Sequence, residues 1–292
     1  MIDRFVEYLQ YERHYSDLTV QAYQRDLKQF CQFLETDGLH PDDVSENDIR
    51  AWIVSLMQQG IGARSVRRKL SSVKSFWRFC MKVGATAHDI PARIPTPKVD
   101  KPIPAFFKES EMEQVLHPKP DADDFVQQRD WLIIDLLYET GMRCSEMLGL
   151  TDSDITRQAD NGQIQVHGKR NKQRIIPISN ELLENISRYQ AVRNGQIDRQ
   201  DNHVFLRPSG KPMILQDVYK VVHKRMSEVS TVYKRSPHVL RHTFATAMLN
   251  HGADVEAIRA LLGHESLSTT QIYAHTTFEE LKKVYNNAHP RA

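Results

Sequence analysis

The sequence predicts a mainly α-helical protein of two domains, with one small antiparallel β-sheet. Apolar residues recur at helical spacing along most of the chain, whereas the neighbouring runs 163–167 and 174–178 alternate with the period of strands. A proline-rich segment from Ile90 to Pro104 separates two helical regions. The 292 residues are enough for two domains that each bury a core of their own.

Four amphipathic helices are predicted before the proline-rich segment. In each of them an apolar residue returns every three or four positions, so that one face can be buried. Ser16 or Asp17 lies near the start of the second helix, and the region from Ser45 to Asp48 caps the third. The apolar faces of the four helices lie within residues 2–9, 20–34, 49–56 and 66–77.

The fourth helix carries positive charge that the composition alone does not reveal. The formal net charge is only +2, yet no acidic residue lies between Asp48 and Asp89, where eight lysine and arginine residues occur. Helical spacing aligns several of them opposite the apolar face, as in a helix that contacts a phosphate backbone. A solvated charged face is the alternative. The candidate DNA-binding residues of this helix are Arg64, Arg67, Arg68, Lys74 and Arg78.

The proline-rich segment predicts the domain boundary. Its five prolines in fifteen residues favour an extended, semi-rigid linker. The predicted domains are residues 1–90 and 106–292, joined by a linker at 91–105. Such a linker would let the two domains close around a duplex as a clamp. A surface loop within one domain is the alternative, but the secondary-structure pattern changes across the segment.

The second domain is predicted to be mainly helical around the strand pair. One helix begins near Glu109, two more lie near 181–194 and 214–229, and a terminal helix covers 278–287. A short extended segment is predicted at 203–206.

The stretch from Ser236 to His275 places chemically capable side chains at the ends of short helices. Serine, proline and glycine mark the ends of these helices. A tyrosine can act as a nucleophile, an arginine can grip two phosphate oxygens, and histidines move protons near neutral pH. Together these residue types indicate attack on a phosphodiester. The candidates are His238, Arg241, His264 and Tyr273.

Two upstream positions supply the second arginine and the acid that this chemistry requires. Arg143 lies at a junction between a buried helix, which Gly141 ends, and a short helix that follows. Glu146, three residues on, is placed to hydrogen-bond the Arg143 guanidinium and hold it. Lys169 lies in the turn between the two strands, where it can donate a proton to a leaving alkoxide.

The composition indicates a protein of the reduced cytosol. Hydrophobic content of 40% and charged content of 26% are those of a globular protein, and no apolar run approaches the ~18 residues of a membrane span. The first residues lack the form of a signal peptide. The three cysteines, Cys31, Cys80 and Cys144, share no metal-ligand spacing, and packing is the expected role of Cys144.

Several segments resemble the tyrosine recombinases (the phage integrase family), and most closely the Xer-type site-specific recombinases. The resemblance extends over essentially the whole chain, and a full set of active-site positions in the right order is a specific signal. The segments are GMRCSEMLGL, VHGKRNKQRIIPI, HVLRHTFATAMLNHGA, LLGHESLSTTQIYAH and the C-terminal HPRA. The six positions of the family's pattern are Arg143, Lys169, His238, Arg241, His264 and Tyr273.

The resemblance implies a two-domain clamp, with a four-helix SAM-like core-binding domain before a mainly helical catalytic domain that contains a small antiparallel sheet. It implies that Tyr273 attacks the scissile phosphate to form a 3′-phosphotyrosyl link, while Lys169 protonates the leaving 5′-oxygen. Arg143 and Arg241 would clamp the phosphate. Both histidines would bond it, with His238 taking the tyrosine's proton. No metal, other cofactor or ATP is expected.

The implied partner is double-stranded DNA with a specific inverted-repeat site. Two rounds of exchange through a Holliday junction require four protomers, of this chain alone or with a sister recombinase. The C-terminal helix would dock on the neighbour and close a cyclic tetramer; intramolecular packing is the alternative. Similarity to Xer enzymes also implies an activating partner protein and the resolution of chromosome or plasmid dimers, with no membrane involved.

Other basic and histidine residues have expected supporting roles. His242 and His275 would have a structural role or would contact and hold the catalytic residues. His238 and His242 have the i, i+4 spacing of zinc ligands, but Arg241 between them would repel a cation. Arg170, Lys172 and Arg174 are expected to bind the DNA backbone near the hairpin.

Three other functions stay open at the level of sequence. An integrase or invertase of a mobile element, or a type IB topoisomerase, would use the same chemistry. The absence of an arm-binding domain before Met1 favours the Xer type over a phage integrase. A non-catalytic DNA-binding regulator is the alternative from a different class, but it would have no use for Tyr273 or Lys169.

Overall fold

The computed structural model shows two compact units, Met1–Pro102 and Ile103–Ala292. It describes residues 1–36, 38–39, 43–99, 104–117, 119–121, 123–158, 161–168, 173–263 and 278–291. Within these ranges no helix combines the length and the apolar character needed to cross a bilayer.

The first unit contains the four predicted helices. The first of them continues beyond its α-helical turns as a π-helical segment, Tyr8–Glu12. The four α-helices are α1 (Ile2–Glu7), α2 (Asp17–Thr36), α3 (Glu46–Gln58) and α4 (Ala63–Lys82).

The predicted apolar face of α4 forms part of the core of this unit. Val66, Leu70, Val73 and Trp77 are all buried. The start of α3 is fixed by Asp48, whose carboxylate accepts hydrogen bonds from the backbone and the side chain of its N-cap, Ser45. A cap of this kind contributes roughly 1 kcal/mol to the stability of a helix.

The proline-rich segment begins differently from an extended linker. Ile90–Arg93 is a 3₁₀ helix, started by the Asp89 carboxylate, which accepts from the backbone N–H of Ala92. Ile94 is buried in the core of the first unit, and its carbonyl oxygen accepts a hydrogen bond of 2.8 Å from Lys74. The first residues of the segment therefore belong to the first unit, and the predicted domain boundaries stay a prediction.

The second unit is mainly helical, with a three-stranded antiparallel sheet in the order β1-β2-β3. The two predicted strands are confirmed as β2 and β3, and β1 was not predicted. The strands are β1 (Ile155–Gln158), β2 (Asn161–His167) and β3 (Gln173–Ile178). The α-helices are α5 (Glu109–Leu116), α6 (Phe125–Thr140), α7 (Cys144–Leu148), α8 (Asn180–Gln196), α9 (Leu215–Ser227), α10 (Pro237–Asn250), α11 (Val255–Leu262) and α12 (Phe278–Ala288).

Helix α6 is the central helix of the second unit, and all its residues from Trp131 to Thr140 are buried. It ends as predicted at Gly141, whose φ of 57° lies in the left-handed region that favours glycine. A Cβ at this position would lie 2.4 Å from Cδ1 of Phe244. The close approach of α10 to this turn fixes where the chain leaves α6, two residues before Arg143.

Helices α10, α11 and α12 share a smaller core that includes Phe244, Leu261 and Tyr285. Asp254 starts α11, because its carboxylate accepts hydrogen bonds from the backbone N–H groups of Glu256 and Ala257. These contacts set the direction of α11 and therefore the position of its last turn.

Candidate active site

Arg143 and Glu146 form the compact junction that the sequence predicts at the start of α7. Arg143 is the N-cap residue, and its backbone N–H donates to Glu146 Oε2 at 2.7 Å. Its Nη1 donates to Oε1 of the same carboxylate at 2.8 Å. The Arg143 side chain is 39% exposed whereas that of Glu146 is 4% exposed. The arginine therefore faces solvent while it is held by a buried carboxylate.

Arg241 is buried on α10 and bonds two backbone carbonyl groups. Nη1 donates to Gly141 at 2.7 Å and Nη2 donates to Leu262 at 2.8 Å. Burial, followed by the positive charge of Arg143, lowers the pKa of Arg241 to about 10, so the side chain is still protonated at neutral pH. The two arginines therefore bring two positive charges to one region of the second unit.

Arg174 on β3 completes the cluster from the other side of Glu146. Its Nη1 and Nη2 donate to the two carboxylate oxygens of Glu146 at 3.0 and 2.8 Å. Its Nε donates to the carbonyl oxygen of Leu261 at 2.9 Å, and its side chain is 16% exposed. This interior placement differs from the DNA-backbone contact that the sequence predicts for Arg174.

Glu146 stays ionised among these three arginines. Burial by itself raises its pKa, but hydrogen bonds and charge from Arg174, together with the hydrogen bonds from Arg143, lower the pKa to about 2. Two guanidinium groups bond this carboxylate and the charge of a third, that of Arg241, interacts with it, which leaves a local excess of positive charge suited to an anion.

The last turn of α11 is the common acceptor of the cluster. The carbonyl oxygens of Leu261, Leu262 and Gly263 accept hydrogen bonds from Arg174, Arg241 and Arg143, respectively. Cations are favourable at this end of a helix, where backbone carbonyls lack helical partners. Gly263 ends the helix with a φ of 64°, and a Cβ there would lie 3.0 Å from Arg174 Nη1.

The two histidines of α10 lie on its solvent side. His238, one turn before Arg241, and His242 are both exposed. Of the six positions in the resemblance, the described residues therefore bring together Arg143 and Arg241, with His238 on the same helix as Arg241. Lys169, Arg170, Lys172, His264, Tyr273 and His275 lie outside the described residues.

Cys144, next to Arg143, is half-buried and packs against the main core of the second unit. Burial raises the pKa of its thiol to about 12, so the thiol is neutral at physiological pH. This agrees with the packing role expected from the sequence.

The basic residues of α4 fall into two groups. Arg64 and Arg67 are exposed. Arg68, with Lys69, is paired with the buried carboxylate of Asp26 on α2. Lys74 bonds the backbone of Ile94, and Arg78 lies 4.0 Å from Asp89. Several of the predicted DNA-binding residues of α4 therefore already bond other residues of the first unit.

Sequence reasoning missed a concave polar surface on the first unit. It has a volume of about 550 Å³ and lies mainly along α2. The signal was present in α2, where polar and basic side chains recur at the three- and four-residue spacing of one helix face. Its lining residues are Gln21, Gln24, Arg25, Lys28, Gln29, Gln32 and Lys69.

A buried ionic network around the C-terminal segment was also missed. Arg291 lies 3.2 Å from Oε1 of Glu139 and 3.3 Å from Oδ1 of Asp135 on α6. The hydroxyl of Tyr285 donates to Glu139 at 3.2 Å. Two acids four residues apart in an apolar run were a readable signal for a buried cation partner.

Comparison with known proteins gives consistent matches over both units. Residues 105–280 match the model of the phage integrase family, and residues 2–84 match that of the phage integrase N-terminal SAM-like domain. The chain is 35% identical over 300 residues to tyrosine recombinase XerC of Bacillus pumilus, which covers 100% of this chain and 97% of the relative. It is 35% identical over 295 residues to tyrosine recombinase XerD of Pseudomonas aeruginosa, with coverage of 100% and 97%.

A solved structure shows the same fold. The XerH site-specific recombinase bound to a palindromic difH substrate, in a post-cleavage complex, matches with a TM-score of 0.73 and 20% identity. The match covers 97% of this chain and 83% of that chain. The mainly helical fold, with a SAM-like first unit and a small sheet in the second, is thereby confirmed.

Proposed function

The chain belongs to the phage integrase family of tyrosine recombinases, and from this premise we propose that it recombines DNA through a 3′-phosphotyrosyl intermediate. The observation that carries the proposal is the pair Arg143 and Arg241, which bond neighbouring carbonyl groups at the end of α11. Two guanidinium groups held in advance can bind the non-bridging oxygens of a phosphodiester and offset the charge that develops during attack.

In the proposed reaction Tyr273 attacks phosphorus and displaces the 5′-oxygen of the cut strand. His238 takes the proton of the tyrosine hydroxyl, and Lys169 gives a proton to the leaving oxygen. His264 bonds the phosphate. The 5′-hydroxyl of a second strand then attacks the phosphotyrosyl bond, so the bond energy is kept without ATP.

The exposure of Arg143 supports its role as the first contact with the phosphate. Its side chain is more than a third exposed, yet two of its nitrogens are fixed by Glu146 and by Gly263. The guanidinium is therefore oriented before DNA arrives, which reduces the entropy lost in reaching the transition state. Guanidinium charge does here what a metal ion does in other phosphoryl-transfer enzymes.

The proposed substrate is double-stranded DNA with a specific inverted-repeat site. Arg64 and Arg67 on α4 are proposed to contact its phosphates, with weaker contributions from Arg68, Lys74 and Arg78. Four protomers, of this chain or with a sister recombinase, would exchange strands through a Holliday junction. Docking of the C-terminal helix on a neighbour would require α12 to leave the core that it shares with α10 and α11 in this structure. Dimer resolution in the cytoplasm with an activating partner protein is the proposed setting.

A suicide substrate tests the covalent step. The DNA carries inverted half-sites and a nick close to the cleavage position, so that the released fragment diffuses away and the covalent complex accumulates. We expect a slow band on a denaturing gel, formed in EDTA by the natural sequence and lost in Tyr273→Phe. Tyr219→Phe, on α9, is the matched control and should leave the band unchanged.

Two results would contradict the proposal. A covalent band that persists in Tyr273→Phe would assign the nucleophile to another residue. Specific DNA binding without any covalent band, on a range of sites recognised by Xer-type relatives, would favour a DNA-binding regulator.

A further inference from the structure

Arg174 stands out because it bonds both the carboxylate that supports Arg143 and the helix end that all three arginines share. Each carboxylate oxygen of Glu146 accepts hydrogen bonds from the same two arginines. Oε1 accepts from Nη1 of Arg143 and Nη1 of Arg174, and Oε2 accepts from the backbone N–H of Arg143 and Nη2 of Arg174.

We propose that Arg174 is a positioning residue of the recombination reaction, one that holds Glu146 in the orientation which aims Arg143 at the scissile phosphate. The inference rests on the proposed function, because the orientation of Arg143 matters for catalysis only if Arg143 binds the reacting phosphate. Arg174 itself does not touch the DNA in this assignment.

The geometry distinguishes positioning from DNA contact. All three guanidinium nitrogens of Arg174 donate to protein acceptors, and the side chain is 16% exposed, against 39% for Arg143. Arg241 is also buried and bonded through both terminal nitrogens, so burial alone does not decide; what sets Arg174 apart is that both of its terminal nitrogens donate to the carboxylate that also holds Arg143. Arg174 therefore faces Arg143 through Glu146 rather than facing the substrate.

The bond from Arg174 Nε to Leu261 links this support to α11. Gly263, two residues on, approaches the Arg174 guanidinium so closely that a Cβ would lie 3.2 Å from its Cζ. Arg174 thus fixes β3, the start of α7 and the end of α11 relative to one another. These are the elements that hold Arg143 and directly precede position 264.

The charges around Glu146 predict how the removal of Arg174 would change the pKa of the Glu146 carboxyl group. Arg174 on β3 and Arg143 at the start of α7 bond the Glu146 carboxylate and keep it ionised, and the charge of Arg241 on α10 also interacts with it. Burial favours the protonated form of Glu146, and without Arg174 less positive charge opposes this effect. The pKa of Glu146 then rises, and at lower pH the neutral acid holds Arg143 less firmly.

The test compares Arg174→Met, Arg174→Lys and Glu146→Gln at saturating DNA on the suicide substrate. Arg259→Met is the matched control, since Arg259 also pairs with a glutamate, Glu256, but on the exposed side of α11. We expect a cleavage rate roughly 100-fold lower in Arg174→Met, with DNA affinity unchanged and partial rescue by lysine. The control should cleave at the natural rate.

Two further readouts separate positioning from general stability. The rate deficit of Arg174→Met should grow as pH falls from 8 to 6, whereas that of Glu146→Gln should not change with pH. The double variant should be no slower than the slower single one, because both residues act as one unit.

The outcomes are distinguishable from failure of the proposed function. If Tyr273→Phe abolishes the covalent band but Arg174→Met cleaves at the natural rate, Arg174 is not a positioning residue. A lower DNA affinity and salt slope with an unchanged rate at saturation would make it a DNA contact. If Arg174→Met does not fold, the cleavage rates of Arg174→Lys, Glu146→Gln and their double variant take its place. Additive losses of rate in these variants would overturn the proposal.

Discussion

Arg241 donates a hydrogen bond of 2.7 Å to the carbonyl oxygen of Gly141, a residue 100 positions earlier in the chain. The bond joins α10 to the turn that precedes Arg143. A second bond from Arg241 to Leu262 joins α10 to the end of α11. One buried side chain thus connects three parts of the candidate site.

Replacing Arg241 by lysine should therefore impair cleavage more than DNA binding. An ammonium group keeps the charge but cannot donate to both carbonyl groups and to phosphate in the same planar geometry. We expect a cleavage rate on the order of 100-fold to 1000-fold lower and a loss of about 1–3 kcal/mol in the free energy of unfolding. Suicide-substrate kinetics and urea denaturation measure these. Arg188→Lys, exposed on α8, is the control, and a natural rate for Arg241→Lys would contradict the phosphate clamp.

Gly141→Ala should destabilise the second unit. The left-handed backbone costs an alanine about 1–2 kcal/mol, and the methyl group would meet the Phe244 ring, which adds roughly 1–3 kcal/mol. The transition followed by circular dichroism in urea should shift to lower concentration. Gly252→Ala has a φ of 81° but nothing within 4 Å of its Cβ, so it should show only the backbone cost. Equal losses in the two variants would show that the contact with Phe244 adds nothing.

Asp26→Ala should loosen α2 from α4. The buried carboxylate of Asp26 holds Arg68, Lys69 and the hydroxyl of Ser72. Its removal leaves the Lys69 ammonium partly buried without its charge partner, at a cost on the order of 3 kcal/mol. Hydrogen exchange in α2 and α4 should accelerate. Glu12→Gln, which removes the exposed partner of Lys82, should leave exchange in these helices unchanged.

Arg67→Ala should weaken DNA binding through charge alone. Arg67 is exposed on α4, whereas Arg68 is held by Asp26. If Arg67 neutralises one phosphate, the slope of log affinity against log salt concentration should fall by about 0.9. Titrations of labelled duplex at several salt concentrations measure the slope. A fall as large in Arg68→Ala as in Arg67→Ala would contradict the division of the basic residues into two groups.

Arg291→Met should make the stability of the second unit depend more strongly on pH. Burial raises the pKa of Glu139 and of Asp135, and Arg291 opposes the rise. A carboxyl group with a raised pKa in the folded state contributes stability at low pH, and this contribution is lost as pH rises from the unfolded value through the folded one. Without Arg291 both pKa values rise further.

The expected loss from Arg291→Met is therefore larger at pH 8 than at pH 5. At pH 8 it should reach about 3–5 kcal/mol, the cost of breaking a buried ion pair. Glu181, which also acts on Asp135, has a pKa that its hydrogen bond with Lys119 lowers, so it stays ionised across this range and does not alter the sign. Urea denaturation at the two pH values measures the difference. A larger loss at pH 5 would mean that the two carboxyl groups are ionised in the fold and stabilised by other partners.

Periodicity predicted the helices and the strand pair because burial of one face is a local property of the sequence. The junction at Gly141, Arg143 and Glu146 was predictable for the same reason, since its contacts span only a few residues. Strand β1 was missed because its four residues carry no clear alternation. The 3₁₀ turn at Ile90–Arg93 was missed because proline content indicates a restricted backbone, not where it packs.

The roles of Arg174 and Arg68 could not be predicted from local pattern. Each is one arginine in a basic run, and such a run is read as a surface for phosphate. Each bonds a carboxylate that is 28 or 42 positions away in the chain. Only the packing that brings Glu146 to Arg174, or Asp26 to Arg68, distinguishes an arginine that bonds a carboxylate of its own unit from one that is free to contact DNA.

The three arginines of the candidate site all bond main-chain oxygen atoms at the end of α11, and every amino acid provides such an atom. Substitutions at Leu261 or Leu262 can therefore change the side chain while leaving the acceptor for the guanidinium in place, provided that the helix still ends at Gly263. The arrangement tolerates sequence drift in α11 but not insertion or deletion there, since a shift of one residue would turn the carbonyl groups about 100° around the helix axis. Natural variation in this helix should accordingly alter its composition and preserve its length.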